Sequence, residues 1–252
     1  MKEDIFTLHN VLFGVYPYVC LVVFGIGSWL RFDREQYGWK ADSTQLLSKP
    51  WMRFASNMFH GGVLAIFGGH FVGLLTPHFV FSAIMPDITH QYLAITAGTI
   101  FGITAFIGAI ILWFRRFFNP RISLTSRWAD KFVLTWLLIT LTLGLLTIPV
   151  SLNHAGHGDP RVVTALAEWV QSIMYLHPAP AYVEGVDFIF KLHLLFGMTV
   201  FLIFPFTRLV HIWSMPFGYI MRSYQIVRTK RLKYQTIDNR YDIGKASEET
   251  TY

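Results

Sequence analysis

Residues 5–30 contain no Asp, Glu, Lys or Arg. A helix needs only about 20 mostly apolar residues to cross the hydrocarbon core of a bilayer. Four further runs of this kind follow, at about 54–76, 92–114, 132–152 and 186–213. The last is the least clean, with Asp187 and Lys191 near its start and Arg208 near its end. Charged side chains near the end of a span can reach the interface, so this run still reads as a crossing. Backbone amides inside a bilayer must be satisfied within their own segment. The fold class expected is therefore an all-α membrane protein, a bundle of five transmembrane helices.

Composition supports this and excludes the obvious soluble alternatives. Charged residues make up 14% of the chain and hydrophobic ones 53%, whereas a soluble domain is about 25% charged. The net charge of +6 consequently points to lipid and topology rather than to nucleic acid. The single cysteine, Cys20, forms no internal disulfide and lies in an apolar run, where it reads as a small core residue.

Basic residues fall in alternate loops. Arg31, Arg34, Lys40, Lys49 and Arg53 separate the first two spans, and Arg115, Arg116, Arg121, Arg127 and Lys131 separate the third and fourth. The 77–91 loop has no Lys or Arg, and the loop before the fifth span has only Arg161. Seven Lys and Arg residues, from Arg222 to Lys245, follow the fifth span. Positive charge marks the cytoplasmic side, which places the N-terminus outside and the C-terminus in the cytoplasm of a cell-membrane protein. The opening Met1-Lys2-Glu3-Asp4 lacks the features of a cleaved signal, so the first span is expected to remain. Residues 1–231 form the membrane domain and 232–252 a polar tail. In the long outer loop, Val163, Leu166, Val170 and Ile173 recur at helical spacing. This predicts a short helix over 161–175, lying on the outer membrane surface as a connector or a lid.

Of ten histidines, four lie within spans: His60 and His70 in the second, His193 and His211 in the fifth. Ionisable residues at that depth are rare and mark function by default. The two helices run in opposite directions, so His70 is level with His193 and His60 with His211. His193 and His211 are five helical turns apart and share a face, about 27 Å along the axis, against about 15 Å between His60 and His70. Two facing imidazoles offer too few ligands for a lone metal ion but suffice as the axial pair of a haem. Gly61, Gly62, Gly68, Gly69 and Gly197 would let a macrocycle approach the backbone, and Arg208 could meet its carboxylates. Packing histidines with helix-contact glycines remain the alternative on spacing alone.

Several stretches resemble one family. They are Phe54-Ala-Ser-Asn-Met-Phe-His60-Gly-Gly, Gly-Gly-His70-Phe-Val-Gly-Leu-Leu-Thr-Pro-His78, Phe188-Ile-Phe-Lys-Leu-His193 and Phe204-Pro-Phe-Thr-Arg-Leu-Val-His211, with Gly144-Leu-Leu-Thr-Ile-Pro149 and Gly27-Ser-Trp-Leu-Arg31. All are similar to the gamma subunit of respiratory nitrate reductase, over nearly the whole chain to about Arg228. The resemblance implies a diheme cytochrome b holding two non-covalent haem b groups, the outer on His70 and His193, the inner on His60 and His211. It implies quinol oxidation near the outer haem, in a pocket beside Gly69, His70 and His90. Electrons would leave to a cytoplasmic iron–sulfur subunit and a molybdenum subunit that reduces nitrate. Relatives carry a lysine where this chain has His90, and a histidine can likewise bond a quinone oxygen. The rival readings are a quinone-linked cytochrome b anchor of a formate dehydrogenase, hydrogenase or sulfur-metabolism reductase, or a haem-free membrane anchor.

Overall fold

The computed structural model describes residues 7–39, 44, 47 and 51–214. The polar tail and the basic stretch from Arg222 onward lie outside the described residues, as do Ile5 and Phe6. Among the described residues, five helices are long and apolar enough to cross a membrane: α1 (Leu8–Arg34), α2 (Met52–Leu75), α3 (Asp87–Phe118), α4 (Trp128–Gly156) and α5 (Phe188–Phe206). No strand occurs among the described residues. The protein is an all-α, five-helix membrane bundle.

Helix ends follow local chemistry and lie beyond the expected limits where the span reaches past its apolar centre. The third span begins at Asp87, directly after Pro86. Proline cannot continue a helix backwards, and an acidic first turn suits the positive end of the helix dipole. It ends at Phe118, before Asn119 and Pro120, because the residue preceding a proline is steered away from helical geometry. A short helix, His78–Ile84, fills most of the loop between α2 and α3.

The spans pack in the order α2, α3, α4, α5, α1. The α2–α3 contact is a small-residue seam. A Cβ on Gly62 would lie 2.7 Å from the Ala105 backbone nitrogen, and one on Gly108 would lie 2.5 Å from that of Phe59. Close backbone approach of this kind drives helix association in lipid, where apolar burial does not. Gly62 is thus a packing residue and not the cofactor clearance expected for it. On its other side α2 is open. Only 6% of its most apolar window is buried, against 17–28% in the other spans.

The loop helix forms at Arg161–Met174, but its apolar face does not lie free on a membrane surface. Trp169 and Ile173 are buried with Phe13, Val183, Val186 and Phe190. Trp169 Nε1–H donates to the Phe13 carbonyl over 2.9 Å. Gln171 Nε2 donates to the Leu74 and Thr76 carbonyls at the end of α2, both at 3.1 Å, satisfying groups that every helix terminus leaves unpaired. The helix is a cap that joins the ends of α1, α2 and α5.

The fifth span departs most from expectation. Regular α-helix covers only Phe188–Ile203. It tightens to 3₁₀ at Phe204–Phe206, breaks at Thr207 (φ −122°, ψ 178°) and resumes as 3₁₀ at Arg208–Ser214. Pro205 has no N–H to give and crowds the preceding turn. The five whole turns expected between His193 and His211 do not exist.

Candidate functional site

The second span delivers His60 and His70 on uninterrupted α-helix. His193 projects from the regular part of α5, and His211 from the 3₁₀ turn beyond the break. The four meet in two pairs. The rings of His70 and His193 stand 6.3 Å apart between centroids, at an interplanar angle of 54°. Those of His60 and His211 stand 6.4 Å apart, at 77°. His211 reaches His60 from beyond the break at Thr207, so the axial spacing of an unbroken helix does not apply to it.

Backbone carbonyls fix the orientation of three of the rings. His60 Nδ1 lies 2.7 Å from the Ser56 carbonyl, His70 Nδ1 2.9 Å from that of Ile66, and His211 Nδ1 2.6 Å from that of Arg208. A carbonyl oxygen carries no proton, so each Nδ1 is the donor and each Nε2 keeps its lone pair. Such a bond sets tautomer and ring direction in histidines that bind metals. His193 is placed by packing. A Cβ on Gly144 would come within 3.0 Å of its Cε1, so glycine at 144 makes room for the ring. That role is invisible along the chain, because Gly144 is in α4 and its neighbour is known only from the fold.

The space between the pairs suits a flat group. A metal–imidazole bond of about 2.0 Å on each side, plus the distance from ring nitrogen to ring centre, separates centroids by about 6.3 Å. Both pairs have that spacing. A Cβ on Gly61, Gly68, Gly69 or Gly197 would meet nothing within 4 Å, so four of the five glycines expected to give clearance do border open space. Among the described residues, no three His, Cys, Asp or Glu side chains converge on a metal point. The donor set consists of pairs, and a pair suits a cofactor that supplies its own equatorial ligands.

Arg208 lies three residues before His211, with its Nε 3.1 Å from Asp130 Oδ1. Arg116 Nη1 takes the other oxygen of Asp130 at 3.2 Å. Asp130 thus ties Arg116 and Arg208 together beside the His60–His211 pair.

His90 sits in the first turn of α3. Its ring stacks on Phe81 at 4.1 Å between centroids, and its Nε2 would lie 3.7 Å from a Cβ on Gly73, one turn past Gly69 in α2. The structure thus sets His90 against α2 on the side of the bundle that carries His70. His78 pairs with Asp87 at 3.0 Å and His154 with Asp187 at 2.9 Å.

The family model for the nitrate reductase gamma subunit matches residues 9–230. The chain is 47% identical over 224 residues to the respiratory nitrate reductase 1 gamma chain of Escherichia coli (strain K12), covering 88% of this chain and 98% of that one. It is 46% identical over 224 residues, with the same coverage, to the respiratory nitrate reductase 2 gamma chain of that strain. It is 36% identical over 222 residues to the nitrate reductase gamma chain of Bacillus subtilis (strain 168), again covering 88% and 98%.

Proposed function

The chain belongs to the nitrate reductase gamma subunit family, and from that premise we propose that it oxidises quinol near the outer membrane face and passes the electrons inward to the partner subunits of a nitrate reductase. The observation that carries this reading is the pair of imidazole couples, each spaced as two ring nitrogens on one metal would be. His70 and His193 would hold the outer haem b and His60 and His211 the inner one. When bound, these groups supply one-electron transfer at potentials tuned by axial ligation and an apolar surround.

The chain's own residues do the rest. The Ser56, Ile66 and Arg208 carbonyls aim three of the imidazoles. Arg208, three residues before His211, would meet haem carboxylates at the inner end. His90 is the polar contact of the quinol pocket beside Gly69 and His70, where its imidazole accepts a hydroxyl proton and releases it outward. Moving an electron inward through the full field costs about 2.3 kcal/mol per 100 mV, and the redox drop that drives it is conserved as membrane potential. The basic ends of α1, α3 and α4 face the cytoplasm. There the iron–sulfur subunit docks, and it relays electrons to a molybdenum subunit where nitrate is reduced. Lipid surrounds the spans.

The test is a complete redox cycle on membranes containing the assembled complex. Quinol addition should reduce the b-type haem absorbance, and nitrate should then reoxidise it. Reoxidation by another acceptor but not by nitrate would assign the chain to a different quinone-linked complex. No haem absorbance at all would leave a plain anchor.

A further inference from the structure

We infer that Arg31, in the first span, positions His211 for the inner haem by holding the break in α5. This rests on the haem reading above. His60, His70 and His193 ride on regular helix, so each helix sets its own ligand in place. His211 lies beyond Thr207, where the helical hydrogen-bond pattern is interrupted. A carbonyl exposed at such a break needs a donor from elsewhere.

Arg31 provides it. Its Nη1 donates to the Pro205 carbonyl at 2.7 Å and to the Thr207 carbonyl at 2.8 Å, and its Nη2 donates to the Gly38 carbonyl at 3.2 Å. The side chain is 14% exposed. A planar guanidinium with fixed donor directions suits several carbonyls at once, and a lysine ammonium does not reproduce that. One turn earlier on α1, Gly27 admits the proline ring, since a Cβ there would stand 2.7 Å from Pro205 Cγ. The first span therefore grips the break at two successive turns, which gives the Gly27-to-Arg31 motif a structural purpose.

The grip passes directly to the ligand. The Thr207 carbonyl belongs to the peptide plane that leads into Arg208. Thr207 Oγ1 accepts the Leu209 N–H at 3.4 Å, Asp130 anchors the Arg208 side chain, and the Arg208 carbonyl takes the Nδ1–H of His211. Turning the 207–208 peptide moves the oxygen that orients the imidazole. The His70–His193 pair shares none of these contacts.

The experiment uses the assembled complex in membranes. Electron paramagnetic resonance g-values and the midpoint potential are read for each haem, and the signals are assigned by the losses in His211→Ala and His193→Ala. Arg31→Gln and Gly27→Ala, which push on the break by different means, should each shift or abolish the signal that His211→Ala abolishes and leave the other unmoved. Arg31→Lys should give a smaller shift of the same signal. Arg34→Gln, on the same helix but away from the break, should move neither. Should Arg31→Gln fail to accumulate, Gly27→Ala and Arg31→Lys decide the matter. Equal movement of both signals, or none, would overturn the positioning role. Absence of two low-spin signals in the unaltered protein would instead remove the haem reading beneath it.

Discussion

His70 and His193 face each other across 6.3 Å between ring centroids, although the helices that carry them are not close-packed neighbours. α2 leans on α3, and α5 lies between α4 and α1. Imidazoles that merely stabilised helix packing would sit within a tight seam, as Gly62 and Ala105 do. These meet across a gap, on helices where a Cβ at Gly61, Gly68, Gly69 or Gly197 would find nothing within 4 Å.

Removal of one ligand should cost one haem. His193→Ala is expected to eliminate the outer haem and leave the inner largely in place, and His211→Ala the reverse. Haem per chain should fall from two to about one in each, as measured by pyridine haemochrome against protein.

The glycines separate a cofactor cleft from ordinary helix contact. Gly69→Leu adds bulk where nothing stands within 4 Å. It should leave helix packing intact yet lower haem content. Gly62→Ala drives a methyl into the Ala105 backbone and should cost about 1–3 kcal/mol of stability, seen as faster thermal loss of both haems together. Normal haem content in Gly69→Leu would remove the cleft from that side of α2.

His90→Ala should slow quinol-driven haem reduction while both haem spectra stay unchanged, and His90→Lys should restore the rate. Stopped-flow reduction at matched quinol concentration measures this. An unchanged rate in His90→Ala would move the quinol pocket elsewhere around His70.

Trp169→Phe keeps the ring in the outer cap but strips the donor that satisfies the Phe13 carbonyl. An orphaned buried acceptor costs about 1–3 kcal/mol. Denaturation of the cap, followed by proteolysis of the 157–187 loop, should become easier, with little change in the inner haem.

The five spans and the two histidine couples were legible because bilayer thickness and antiparallel direction are one-dimensional constraints. What the chain hides is the identity of lateral neighbours. Gly62 reads the same as Gly61 in sequence, yet one meets Ala105 and the other faces open space. Gly144 gives no local hint that His193 packs on it. The sequence alone predicts a regular helix from His193 to His211, because the donor that stabilises a full break, Arg31, comes from the far end of the chain. Trp169 was overlooked for a comparable reason: its partner Phe13 lies on α1.

Two imidazole-ligated irons in one chain can be counted, by haem assay combined with low-temperature electron paramagnetic resonance of the purified protein. Two b-type haems per chain and two distinct low-spin signals are expected, one abolished by His70→Ala or His193→Ala and the other by His60→Ala or His211→Ala. A single haem, a high-spin signal in the unaltered protein, or a different pairing of losses would contradict this.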